Sequence, residues 1–320
     1  MTWLVTGGAG YIGAHVVRAL VQDGAEVVVL DDLSTGEGSR VDPAAAFVEG
    51  STLDRGLLRR VLREHGVTGV VHIAAKKQVG ESMADPLLYY RENVEGLIAL
   101  LDSCRDKGVG EVVFSSSAAT YGLPDVELVD EDTPGVPLSP YGESKLIGEW
   151  VLRHCERAYG IRAMSLRYFN VAGTASPQLG DVGVFNLIPM VFERLEAGER
   201  PRVFGGDYPT PDGTCVRDYV HVADIADAHL AAARALRSGA DGATYNIGRG
   251  EGSSVLDVLR VVGEVTGRDT TPDVVARRPG DPARIVAAVD RIRDGLGFTA
   301  SHDLNDMVSS AWAGWQLRHP

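Results

Sequence analysis

The sequence predicts an α/β protein built on a Rossmann-type, doubly wound parallel sheet, followed by a smaller α/β substrate-binding region. Three observations carry that expectation. Short β-branched runs alternate with amphipathic stretches through the first half, the pattern of a parallel sheet covered by helices. A glycine turn joins the first run to the first helical stretch, and two aspartates close the second run. Beyond residue 170, Gly, Pro and Asp crowd residues 174–183 and 205–213, the texture of loops that shape a binding site.

The elements follow in order. Residues 2–6 are a compact apolar strand. Over residues 11–23, Ile12, Val16 and Leu20 recur at helical spacing, and Gly24 stands where a helix-ending glycine belongs. Strands are expected over 26–30, 46–49, 69–74 and 111–115, with helices over 54–64 and 87–107. A longer helix covers 141–159, and a sixth strand covers 161–166. In the second half, helices are expected over 184–196, 224–236, 255–266 and 304–316, with short strands at 243–247 and 273–275. The expected division is a dinucleotide-binding domain over residues 1–169 and a substrate domain over 170–320. Segments around 217–250 are expected to return to the first.

The 320 residues are 44% hydrophobic and 23% charged, enough chain for a large core. A net charge of −13 argues against a nucleic-acid binder and against an anionic membrane surface as partner. An anionic ligand would therefore need arginines gathered locally. Cys104, Cys155 and Cys215 lie far apart with no C-x-x-C pair, so neither a disulfide framework nor a metal site is expected. A reducing, cytoplasmic setting is. No apolar run reaches membrane-spanning length, and the first apolar stretch leads into the glycine turn as a strand does, not as a leader does.

Gly7, Gly10 and Gly13, with Tyr11 and Ile12 between the last two, give G-x-x-G-x-x-G between strand and helix. Glycine suits this place because backbone N–H groups must approach a pyrophosphate closely at a helix N-terminus. Such a pattern alone is common; its placement gives it weight. Asp31 and Asp32 end the next strand at about the 20-residue offset of a ribose-binding carboxylate. A carboxylate accepts from a 2′-hydroxyl and repels a 2′-phosphate, which selects NAD, with Asp31 as the ligand.

Tyr141 and Lys145 stand four apart at the start of a helix, on one face. A free phenol titrates near 10, and a neighbouring positive charge lowers such a group by about 1–3 units. Lys145 and an oxidised nicotinamide are expected to bring Tyr141 into range as a general base. Ser115, Ser116 and Ser117 lie at the C-terminal end of the fifth strand, the edge where open α/β sheets bind ligands. A hydroxyl there can share a proton with the phenol, though serines also cap helical turns.

These residues resemble the extended short-chain dehydrogenase/reductase superfamily, and within it the UDP-glucose 4-epimerase family, along nearly the whole chain. The similarity adds His72-Ile73-Ala74-Ala75, Lys77, Asn93, Ser139-Pro140-Tyr141-Gly142, Arg167-Tyr168-Phe169-Asn170, Asp207-Tyr208-Pro209-Thr210, Arg217-Asp218-Tyr219 and Arg277-Arg278. It implies an NAD enzyme that inverts C4 of a UDP-sugar through a 4-keto intermediate, acting as a homodimer. Tyr141 would be the base, Lys145 its partner on the nicotinamide ribose, and Ser117 the proton-sharing hydroxyl. Lys77, Asn93 and Tyr168 would line the cofactor, while Asn170, Asn186, Phe204, Arg217 and Arg278 would hold the uridine diphosphate. Two arginines then answer the charge problem, since guanidinium matches phosphate geometry.

Ser51 and Ala119 depart from the family pattern at an adenine-contacting and a substrate-contacting position, and Ile285 falls where bulk controls room for an N-acetyl group. A dehydratase or decarboxylase would need a carboxylate just after Ser117, where Ala118 and Ala119 stand. Epimerases of other UDP-sugars stay open, as does an NAD-binding regulator without chemistry, which the intact Tyr/Lys pair disfavours.

Overall fold

The computed structural model describes residues 1–278 and 280–319. In chain order, the first half runs β1 (Thr2–Thr6), α1 (Tyr11–Gln22), β2 (Glu26–Asp31), β3 (Ala46–Glu49), α2 (Arg55–Glu64), β4 (Val67–His72), α3 (Val79–Ala84) and α4 (Pro86–Tyr89). It continues through α5 (Gly96–Lys107), β5 (Glu111–Ser117), α6 (Pro140–Tyr159) and β6 (Arg162–Tyr168). The second half runs β7 (Asn170–Ala172), α7 (Leu187–Glu196), β8 (Arg202–Phe204), β9 (Val216–His221), α8 (Val222–Arg237), β10 (Ala243–Ile247), β11 (Gly252–Ser254), α9 (Val255–Thr266) and β12 (Asp273–Val275). It ends with β13 (Arg284–Ile285), α10 (Asp290–Leu296) and α11 (Leu304–Arg318).

One seven-stranded sheet, ordered β10-β6-β5-β4-β1-β2-β3, is parallel throughout. Strand order reverses between β1 and β4, and the crevice at such a switch point is where these sheets bind nucleotides. Side chains alternate faces along each strand. Trp3, Val5, Val27, Val29, Val71 and Val113 pack with Val16 and Leu20 of α1 and Ile225 of α8. Leu4, Val28, Leu30, Val70 and Val112 pack with Leu58 of α2, Leu100 of α5 and Leu152 of α6. Both sheet faces are therefore covered, which is why the strands read as continuous apolar runs. A separate core of Phe192, Val203, Tyr219, Val262, Met307 and Trp315 holds the second half together.

Several boundaries differ from the sequence reading for local reasons. The strand expected at 69–74 is β4, which ends at His72, because the amides of Ile73 and Ala74 turn to the Thr6 carbonyl (3.1 and 3.0 Å). The helix expected over 87–107 starts at Pro86 and is broken by a π-turn over Tyr90–Glu95, a device common near functional sites. Helix α7 starts at Leu187, with Asn186 at its N-cap. Helix α8 starts at Val222, because the His221 ring takes the cap position and accepts from the Ala223 amide. Strands β7, β8, β11 and β13, of two or three residues each, are too short to show a period of their own, while the six-residue β9 is a strand the sequence reading lacks. No helix of the described residues is long and apolar enough to cross a membrane.

Candidate active site

Between β1 and α1 the chain has almost no room. Gly7 adopts φ +74°, and a Cβ there would stand 2.6 Å from the Ala74 amide nitrogen. A Cβ on Gly13 would stand 2.0 Å from the Gly7 carbonyl oxygen. Gly10 is the N-cap of α1 and brings no side-chain cap, so the positive end of the helix keeps its first N–H groups for an anion. Asp31 is buried, accepting from the amides of Ala9 (3.0 Å) and Leu33 (2.9 Å); burial raises its pKa. The turn fits a pyrophosphate, and the carboxylate at the end of β2 fits the adjoining ribose.

Asn93 is not an open ligand. Its amide oxygen accepts from the Lys76 amide (2.8 Å), and its nitrogen donates to the Lys76 carbonyl and to Ser144 Oγ (both 3.0 Å). It fastens the loop carrying Lys77, which is exposed, to α6. Ser51 keeps its hydroxyl for the Leu53 amide (3.1 Å).

Helix α6 opens with Ser139 capping the Gly142 amide (3.2 Å) and Pro140 in its first turn. Tyr141 and Lys145 then share a stripe facing the end of β5, and both are buried. The three serines divide according to strand alternation and reach. Ser115 Oγ bonds His229 Nε2 (2.9 Å), Ser116 Oγ donates to Glu149 (2.5 Å), and Ser117 lies beside the Tyr141 phenol, the neighbour that lowers its pKa. Ser117 Oγ also accepts from the Ala119 amide (3.2 Å), so it caps the next turn as well. His229 Nδ1 faces the Ile225 carbonyl at 2.8 Å and must donate to it. Its Nε2 is then an acceptor, and Ser115 is the donor. Burial holds this imidazole neutral, with a pKa of about 4.

The expected lowering of Tyr141 by Lys145 is not what the protein groups do. Burial raises the phenol, and Ser117 alone lowers it. The Lys145 amine donates instead to the Ser115 carbonyl (2.9 Å), and its own pKa falls to about 7 through burial. Tyr168 is buried nearby; burial, and then the charge of a Tyr141 phenolate, push its phenol up.

On the substrate side, Tyr11, Asn170, Asp181, Asn186, Tyr219 and Trp315 line one pocket. Asn186 Nδ2 donates to Asp181 (3.0 Å). The Arg278 guanidinium lies over the Phe204 ring at 3.7 Å, and Arg217 pairs with Asp281 at 2.7 Å. Ile285 is buried with Tyr121 and Phe169. The sequence reading missed Asp181, Glu149 and Arg40. Glu149 was detectable as the next step of the Tyr141–Lys145 stripe, but Asp181 and Arg40 gave no local signal.

The chain matches the model of the NAD dependent epimerase/dehydratase family over residues 3–248. A UDP-glucose 4-epimerase of Azospirillum brasilense is 46% identical over 98% of this chain and 91% of its own length. One from Streptococcus mutans is 44% identical over 100% and 98%. Among solved structures, the UDP-glucose 4-epimerase of Brucella ovis in complex with NAD superposes with a TM-score of 0.94 at 40% identity, covering 97% of each chain. That of Bifidobacterium longum in complex with NAD+ and UDP gives 0.91 at 35% identity, covering 100% of this chain and 99% of the other.

Proposed function

Because the chain belongs to the NAD dependent epimerase/dehydratase family, we propose that it is a UDP-glucose 4-epimerase, interconverting UDP-galactose and UDP-glucose with bound NAD. The observation that carries this is the buried constellation at one sheet edge: Tyr141 beside Ser117, with Lys145 one turn along and bonded to the Ser115 carbonyl. The Gly7–Gly13 turn and Asp31 would hold the cofactor, which would supply reversible hydride acceptance for the sugar's C4.

Tyr141 removes the C4 hydroxyl proton and later returns it, so the phenol ends each cycle as it began. Ser117 shares that proton and favours the phenolate by its hydrogen bond. Lys145, tethered to the Ser115 carbonyl, would offer its buried amine as a donor to the cofactor's ribose. Asn93 acts on the cofactor through the loop it clamps, with Lys77 at that loop's exposed end and Tyr168 on the neighbouring wall. Arg217 and Arg278 hold the diphosphate, with Phe204, Asn170 and Asn186 around the rest of the nucleotide sugar. While the diphosphate stays anchored, the flat 4-keto sugar turns its other face to the cofactor. Residues 1–169, with β10 alongside β6, form the dinucleotide half in this reading, and the remainder forms the substrate half.

We also infer a homodimer in the cytoplasm. Val79, Met83, Leu87, Ile98 and Trp150 leave apolar surface exposed on α3, α5, α6 and the start of α4, the kind of patch that marks an interface. The three cysteines are free, as a reducing compartment requires. The deciding assay gives purified protein UDP-galactose without added NAD, or with catalytic amounts, and follows UDP-glucose. Conversion supports the reading. Turnover of UDP-glucuronate but not of UDP-galactose overturns the substrate, and a monomeric mass in solution overturns the dimer.

A further inference from the structure

Glu149 has no part in the reaction above, yet its carboxylate is buried directly under the site at 3% exposure. It continues the stripe of Tyr141 and Lys145 by one more helical step of four. One oxygen accepts from Ser116 Oγ (2.5 Å) and from Arg167 Nε (2.8 Å), and the other accepts from Arg167 Nη2 (2.5 Å). Ser116 and Arg167 are register partners on β5 and β6, so one side chain fastens α6 to both strands. Arg167 is held in turn by the Tyr121 ring (4.8 Å) and by the Glu131 carbonyl (3.4 Å).

The helix lies on β5 without slack. A Cβ on Gly148 would stand 2.6 Å from Phe114 Cζ, and one on Gly142 would stand 2.5 Å from the Ala119 carbonyl oxygen. Packed surfaces this close transmit a shift instead of absorbing it. A buried ion pair seldom adds net stability over well-packed apolar side chains of similar volume, so stability is a weak reason for this triad.

We propose that Glu149, held by Arg167 and Ser116, is a positioning residue that sets α6 on the sheet so that the Tyr141 phenol meets Ser117. The proposal rests on the epimerase reading for its turnover measurements alone. Glu149→Gln puts an amide N–H against the Arg167 fork and breaks the bidentate pair. Misplacement by about 1 Å costs on the order of 100-fold in rate.

The test compares E149Q and the paired apolar variant E149M/R167M with the parent. It reads thermal stability, NAD content, kcat and KM for UDP-galactose against pH, and the Tyr141 titration, taken as the tyrosinate absorbance difference from a Y141F background. Expected for E149Q are retained NAD, KM within about twofold, and kcat lower by about tenfold or more. The acid limb of kcat should move to higher pH as the Ser117 bond weakens. The apolar pair should recover thermal stability but not kcat or the acid limb.

The idea is overturned by either folded, NAD-loaded variant showing parental kcat and an unmoved limb. A lower melting temperature with parental kcat assigns Glu149 to stability alone, which also overturns it. If the parent does not turn over UDP-galactose, the functional reading fails by itself. The phenol titration then still decides the positioning: an upward move in E149Q supports it, and an unchanged titration rejects it.

Discussion

The Lys145 amine donates to the Ser115 carbonyl at 2.9 Å and does not bond the Tyr141 phenol four residues earlier. Helical spacing placed the two side chains on one face, but the strand end decided what each one meets. The lysine is thereby held where burial, its main influence, favours the neutral amine.

That gives a linkage prediction. The amine titrates at about 7 in the folded protein against 10.5 for a free lysine, so between these values the unfolded chain binds the extra proton. Stability therefore rises with pH across that window, and the cost of charging the buried amine is full below it. Lys145→Met should raise the melting temperature more at pH 6 than at pH 10 while removing turnover. Equal shifts at both pH values would contradict the buried-amine account.

Tyr141→Phe should lower kcat by about 10²–10⁴-fold, the usual worth of a positioned general base, with NAD retained. Burial keeps the phenol above its ordinary value, so the active phenolate fraction grows as pH rises through neutrality. Ser117→Ala removes the one protein group that lowers it and should move the acid limb of kcat to higher pH. Steady-state rates over a pH series check both, and an unmoved limb in Ser117→Ala would rule out the serine's tuning role.

Gly13→Ala tests the phosphate turn. Its new methyl would meet the Gly7 carbonyl oxygen at 2.0 Å, a contact that backbone must relieve. Overpacking of this kind costs about 1–3 kcal/mol, and the displaced turn should release NAD. Absorbance and fluorescence of the purified variant report the cofactor; full NAD occupancy would show that the turn does not hold the pyrophosphate.

Arg40 joins the loop after β2 to the substrate half. Its guanidinium donates to the carbonyls of Leu179 (2.7 Å) and Gly180 (2.8 Å), next to the Asp181 that bonds Asn186. Tyr11, in the first turn of α1, donates to the Gly173 carbonyl of the same segment. Arg40→Ala leaves two carbonyls without these partners, at about 1–3 kcal/mol for a buried group. The melting temperature should fall, and KM for UDP-galactose should rise more than kcat changes. An unchanged KM would separate the segment from substrate binding.

Much of the site was legible in the chain because its chemistry is local. The 7–13 glycines, the aspartate ending β2, the serine run and the Tyr/Lys spacing each express a strand, turn or helix that a few consecutive residues specify. The cofactor and a proton-transfer pair followed from that conjunction, and the epimerase reaction from the family resemblance. Asn93 shows the limit: its place in the chain says nothing of its partners, and in the fold its amide is engaged by the Lys76 backbone and Ser144. Arg40 and Glu149 were missed for a related reason, since their partners lie far along the chain or on other elements.

The sequence by itself determined the alternating α/β order, the glycine-lined turn and the pair of side chains for proton transfer, since short-range sterics and hydrophobic periodicity dictate those features. Only the tertiary structure decided what Ser115 and Ser116 bond, where the lysine amine points, and which groups gain or lose protons. Those outcomes depend on burial and on hydrogen bonds between strands and helices brought together by folding, and desolvation outweighs the charge effects that spacing alone suggests.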